Sequence, residues 1–179
     1  MLLRNQGSLS LEEECTDRGG STGILSYHGE DEPNWRILVD MAKRAKKSTR
    51  ASALGAAALV SVVDDDESVR ESLPGLLRQL GFAARGFSSA DEFLMSDSVS
   101  ATRCLILDIA MPGMSGPELQ QQLTGLGLTI KIIFITARGD DALRQQLIGR
   151  GAVDCLFKPF SEQGLKAALD LALPGSRVR

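Results

Sequence analysis

Aromatic side chains are scarce in this chain of 179 residues, at 4% of the total, so an interior built on stacked rings is excluded and an aliphatic one of Leu, Ile, Val and Ala is expected. Long apolar runs are missing too. None approaches the roughly 20 residues that span a bilayer, so no membrane association is expected. After Met1-Leu2-Leu3 the N-terminus turns polar at once, which is not the pattern of a secretory leader. Cysteine is sparse, and Cys15, Cys104 and Cys155 show neither CxxC nor zinc-ligand spacing. Cys104 and Cys155 lie inside apolar runs, as small buried thiols do, which points to a reducing, cytoplasmic setting. Charge of one sign is also lacking. A formal net charge of -3 provides no field that would draw in nucleic acid, and direct nucleic-acid binding is not expected.

What is present suits one domain of ordinary size with an extension. Apolar residues make up 43% of the chain, enough to bury a core. Residues 1–56 carry scattered apolar positions among Gly, Ser and charge, and read as a poorly ordered N-terminal extension. Within it, residues 34–41 suit a helical turn or a short strand, and the basic run from Lys43 to Arg50 reads as a solvated linker. From Ala57 the pattern changes to short apolar runs alternating with amphipathic segments. Strands are expected at residues 57–63, 82–87, 104–107, 130–135 and 153–157, with helices at 67–80, 90–95, from Pro117 onward, 140–148 and 161–173. Five strand–helix units in a row require parallel strands with right-handed crossovers, and continuous rather than alternating apolar strands fit a sheet covered on both faces. The expected fold is therefore a doubly wound α/β domain over residues 57–173, followed by a short tail at 174–179.

Ligands of such sheets bind at the carboxyl ends of the strands. Those ends deliver Asp64-Asp65-Asp66 after the first strand, Asp108 after the third, Thr136 after the fourth and Lys158 after the fifth. Singly, each has an ordinary structural reading: an N-cap, a turn, a surface lysine. Together, on one rim, they form a chemical set. Crowded carboxylates repel one another, and a hard cation such as Mg²⁺ resolves the conflict with oxygen ligands and retained waters. Asp108 then has the setting of a carboxylate nucleophile able to form an acyl phosphate. Lys158 would supply fixed positive charge, and the Thr136 hydroxyl a hydrogen bond to a phosphoryl oxygen. Gly113 and Gly116 would let backbone groups approach a phosphodonor.

Val62-Val63-Asp64-Asp65-Asp66-Glu67-Ser68-Val69-Arg70, Leu105-Ile106-Leu107-Asp108-Ile109-Ala110-Met111-Pro112-Gly113-Met114-Ser115-Gly116, Ile135-Thr136-Ala137, and Gly151-Ala152-Val153-Asp154 with Lys158-Pro159-Phe160 closely resemble the motifs of response-regulator receivers, most of all those of the FixJ type. The resemblance runs from about Ala58 to about Leu173. It implies a flavodoxin-like (βα)₅ fold with strand order 2-1-3-4-5. It also implies that Asp108 accepts a phosphoryl group from a sensor histidine kinase or a phosphotransfer protein. Asp64, Asp65 and Asp108, with the main-chain carbonyl of Ala110, would hold Mg²⁺, and Asp65 would be the more direct ligand of the acidic pair. Thr136 would be the switch hydroxyl, Lys158 the phosphate-binding lysine, and Lys158-Pro159 a cis peptide. The sequence departs from the family at Cys155, three positions before the lysine, where an aromatic switch residue is common. The expected change on phosphorylation is correspondingly smaller, on the face of the helix after strand four, strand five and the last helix.

From the short tail after the last helix, a single-domain regulator is expected, a monomer or weak dimer that acts on a downstream protein and catalyses only its own phosphorylation and dephosphorylation. No helix-turn-helix output is expected in Pro174-Gly175-Ser176-Arg177-Val178-Arg179. Two other readings stand beside it. A phosphatase of the haloacid dehalogenase type would use Asp64-x-Asp66 as its nucleophile motif but would leave Asp108 unexplained. A pure interaction module would have no use for an intact Asp108, Thr136 and Lys158.

Overall fold

A computed structural model describes residues 57–176. The expected extension at 1–56 and the last three positions of the tail lie outside the described residues.

The sheet begins with β1, Leu59–Val63, whose β-branched side chains suit a buried strand. Asp66 ends the turn that follows by accepting the Ser68 amide, and so caps α1, Glu67–Gln79, whose Leu73 and Leu77 face inward. Pro74 lies in the middle of α1 and withholds the N–H that would otherwise bond the Arg70 carbonyl. The chain reverses at Gly81, with φ of 89°, into β2, Ala83–Phe87. Ser89 caps the short α2, Ala90–Leu94, and a further turn of helix, α3, spans Ser98–Ala101. β3, Thr102–Asp108, is the central strand. It is followed by α4, Gly116–Gly125; β4, Lys131–Thr136; α5, Asp141–Gly149; β5, Asp154–Phe157; and α6, Glu162–Ala172.

All the strands pair in parallel, in the order β2-β1-β3-β4-β5, as expected of a doubly wound receiver-like fold. Alternate residues of each strand point to opposite faces. Cys104 and Ile106 join Leu73 and Leu77 of α1 and Leu165 and Leu169 of α6. Leu105 and Leu107 join Phe93 of α2, Leu119 and Leu123 of α4 and Leu147 of α5. The interior is less purely aliphatic than the low aromatic content suggests. Phe82, Phe87, Phe93 and Phe134 are all buried, and Phe87 meets Phe93 edge to face with ring centroids 5.4 Å apart.

Several ends shift by one or two residues, and one element is new. α3 was not foreseen, and β3 starts two residues earlier than its apolar run, at Thr102. The reason is a buried polar chain: the Thr102 hydroxyl donates to the Ser98 carbonyl at 2.7 Å and shares a hydrogen bond with the Ser61 hydroxyl at 2.8 Å. Hydroxyls satisfied in this way can be buried without betraying it through hydrophobicity.

Candidate functional site

The strand ends bring the expected side chains to one rim of the sheet. Asp64 follows β1 and its side chain is fully buried, whereas Asp65 beside it is exposed. The Asp64 carboxylate accepts the Asp66 amide at 2.9 Å on one oxygen and the Lys158 ammonium at 2.7 Å on the other. The same Nζ donates at 2.8 Å to Oδ1 of Asp108, whose Oδ2 accepts the Ala110 amide at 2.8 Å. Lys158 therefore bridges two carboxylates that lie 94 and 50 positions away in sequence. Burial pushes the Asp64 carboxyl above its ordinary value despite the lysine beside it. Burial alone would lower Lys158, but hydrogen bonds to Asp108 and Asp64 outweigh it and hold the ammonium above the usual lysine value.

Thr136 ends β4, one step beyond Ile135, the partner of Asp108 across the ladder. It is buried, and its hydroxyl oxygen accepts the Arg138 amide at 3.2 Å, which leaves its O–H free to donate. Its carbonyl accepts the Lys158 amide at 2.7 Å, so the lysine backbone is tied to the same strand end. The Lys158-Pro159 peptide is cis, as expected. Asp66 acts as the α1 cap and accepts both the amide and the hydroxyl of Ser68. It is thereby occupied in structure, and the Asp64-x-Asp66 nucleophile reading loses its second acid.

The two glycines after Asp108 differ in role. Gly113 has φ of 76° with open space around it. Gly116 is buried, and a Cβ there would stand against the carbonyl of Asp108, well inside contact distance, and 3.1 Å from the Phe134 ring. Gly116 thus admits close packing of α4 on the strand that carries Asp108. Cys155 is 2% exposed among the residues packed around Phe134 and Leu147, and its thiol is pushed up by burial and then by Asp154. Two positions on, the half-buried Phe157 ring lies 3.7 Å from where a Gly139 Cβ would stand, in the loop after Thr136.

Sequence reasoning overlooked two ties. The Arg70 guanidinium donates to the Asp64 carbonyl at 2.9 Å, and Arg144 of α5 clasps Asp154 at the start of β5 at 2.8 Å. Arg70 stood inside the first motif, but nothing in local spacing shows that its side chain turns back six residues.

A family model for the response regulator receiver domain matches residues 60–170. The response regulator protein TodT of Pseudomonas putida is 45% identical over 117 residues, covering 65% of this chain and 52% of that protein. The transcriptional regulatory protein FixJ of Azorhizobium caulinodans is 39% identical over 114 residues, covering 64% of this chain and 54% of that protein. The chain thus spans about half the length of the curated relatives it matches. Among solved structures, the response regulator StyR superposes with a TM-score of 0.61 at 46% identity, over 68% of this chain and 61% of that one. The crystal structure of FixJ-N gives a TM-score of 0.57 at 38% identity, over 64% of this chain and 91% of that one. With its sheet order, its rim of Asp, Thr and Lys and a match over most of the described residues, the chain belongs to the response regulator receiver domain family of two-component signalling.

Proposed function

We propose that residues 57–173 act as a phosphorylatable switch in which Asp108 accepts a phosphoryl group from the phosphohistidine of a sensor histidine kinase or phosphotransfer protein. A carboxylate oxygen of Asp108 attacks phosphorus, the P–N bond to the donor imidazole breaks, and that nitrogen keeps the bonding pair. In the reverse direction of signalling, water attacks phosphorus, the P–O bond to Asp108 breaks, and carboxylate and inorganic phosphate result. In this reading the domain catalyses only its own phosphorylation and dephosphorylation.

The observation that carries this reading is the Lys158 ammonium held at 2.7 and 2.8 Å from Asp64 and Asp108. It fixes the nucleophile, and its charge is placed to follow an oxygen of Asp108 once phosphorus is attached there. The Thr136 O–H would donate to a phosphoryl oxygen. Among the described residues no three His, Cys, Asp or Glu side chains converge tightly enough to form a metal site alone. An all-oxygen donor set still suits Mg²⁺, which binds through one or two carboxylates and retains several waters. Asp64, Asp65, Asp108 and the Ala110 carbonyl would hold it, and it would supply positive charge to the phosphoryl oxygens.

The switch would work in the cytoplasm, as a monomer or weak dimer, through contact with a downstream protein and not through direct DNA binding by these residues. Intact-mass measurement after incubation with acetyl phosphate and Mg²⁺ tests the reading. One added phosphoryl group is expected, dependent on Mg²⁺ and absent from Asp108→Ala. No adduct under conditions that modify a control receiver would make the domain a phosphate-independent binding module.

A further inference from the structure

The Asp64 carboxylate is fixed by the Asp66 amide and Lys158. Asp65 is different: it is exposed, and among the described residues no hydrogen bond or ion pair holds its side chain. Where its carboxylate stands is therefore decided by its backbone. That backbone is held on both sides: the carbonyl of the peptide between Asp64 and Asp65 accepts Nη1 of Arg70 at 2.9 Å, and the Asp66 amide of the next peptide donates to Asp64 at 2.9 Å. Arg70 can reach back because Asp66 starts α1 under it, and the Arg70 amide bonds the Asp66 carbonyl at 3.1 Å.

Across from Arg70 stands the Glu92 carboxylate, locked by the Ser88 amide and hydroxyl at 2.6 Å each. Together with Pro74, Gly86 and Arg78, these residues line one groove between α1 and the end of β2. Gly86 keeps that groove open, since a Cβ there would press within 3.3 Å of the Arg70 carbonyl.

We propose that Arg70 is a positioning residue: by holding the peptide between Asp64 and Asp65 it sets where the unsupported Asp65 carboxylate stands, and hence how tightly the rim binds Mg²⁺. This rests on the reading of Asp64, Asp65 and Asp108 as the Mg²⁺-binding set. The guanidinium acts through one backbone carbonyl and makes no hydrogen bond to the Asp64 carboxylate. Its effect should thus appear in the geometry of the turn and in metal affinity, not in the charge of the buried acid.

The test uses the full chain as wild type, Arg70→Gln, Arg70→Lys, Asp65→Asn and Arg70→Gln with Asp65→Asn, each titrated with Mg²⁺ alone and followed by amide resonances. Arg70→Gln should weaken Mg²⁺ binding by about tenfold, the lower end for loss of a group that orients a metal ligand. Arg70→Lys, which keeps a cationic donor, should recover part of that loss. In the Asp65→Asn background the Arg70 change should have little further effect, because the two act through one carboxylate. Without metal, the Asp65 and Asp66 amides should exchange faster in Arg70→Gln than in wild type. Unchanged Mg²⁺ affinity in folded Arg70→Gln, even with a lowered melting temperature, would reduce Arg70 to a structural tie and overturn the proposal. Additive losses in the double variant would overturn the route through Asp65. If the wild type itself bound no Mg²⁺, the assignment of the acidic rim would fail first.

Discussion

At the scale of single residues, packing and charge make different demands at neighbouring positions, and glycine shows it best. Gly116 has the Asp108 carbonyl and Phe134 where a side chain would go, so Gly116→Ala should cost about 1–3 kcal/mol through overpacking and displace the strand end that carries Asp108. Gly75, in the middle of α1, has nothing within 4 Å of its missing Cβ. Gly75→Ala should therefore stabilise by about 0.5–1 kcal/mol, through a lower entropy cost of forming helix. Urea denaturation of the two variants checks both signs. The thiols make a third case. Burial pushes Cys104 up to about 12 and raises Cys155 as well, so neither should react with a thiol reagent until the domain unfolds. Mass analysis of labelling with and without urea measures this. Asp108, Thr136 and Lys158 were legible in the sequence because polar residues that end apolar runs stand out. The bridge from Lys158 to Asp64 was not, since it joins positions that no local pattern relates.

At the scale of elements, the helix starts are secured by carboxylates whose charge matters. Glu118 reaches back from the first turn of α4 to the Ser115 hydroxyl and amide at 2.6 and 2.8 Å, and Ser88 engages Glu92 ahead of α2 in the same way. Contacts from the serine hydroxyl and then its amide hold each carboxyl below its ordinary 4.5. A depressed folded value means the contribution is complete above 4.5 and is lost as pH falls through the lower value of the folded state. The urea midpoint should therefore decline in acid, and Glu118→Gln should make that decline shallower. An unchanged slope would mean that the charge on Glu118 contributes nothing. The start of α2 could be read from Ser88, Ser89 and Asp91, and that of α4 from Pro117, as could most strands from their apolar runs. α3 could not, because Ser98 and Thr102 are buried with their hydroxyls satisfied, that of Ser98 by Arg85 and that of Thr102 by the Ser98 carbonyl.

At the scale of the whole described fold, the loop after Thr136 and the face of α5, β5 and α6 are the expected readout of phosphorylation. Arg144 joins α5 to β5 through Asp154, and Phe157 packs beside Gly139, so displacement of that loop should be felt along the face even with Cys155 in place of a ring. Amide spectra with and without a phosphoryl group on Asp108 should differ there, and identical spectra would remove the face from the mechanism. Sheet order was legible only through the family resemblance, since apolar runs give the number of strands and not their neighbours. The order has a further consequence at its margins. β2 and β5 are the outer strands. β2 presents Arg85 and the side-chain-less Gly86 at its exposed positions, while β5 is four residues long and runs into Lys158-Pro159. A charged, glycine-weakened margin on one side and a brief, proline-stopped one on the other are poor templates for a visiting strand. The fold is thereby guarded against edge-to-edge aggregation, and its helices and loops are the surfaces it leaves open to a docking protein.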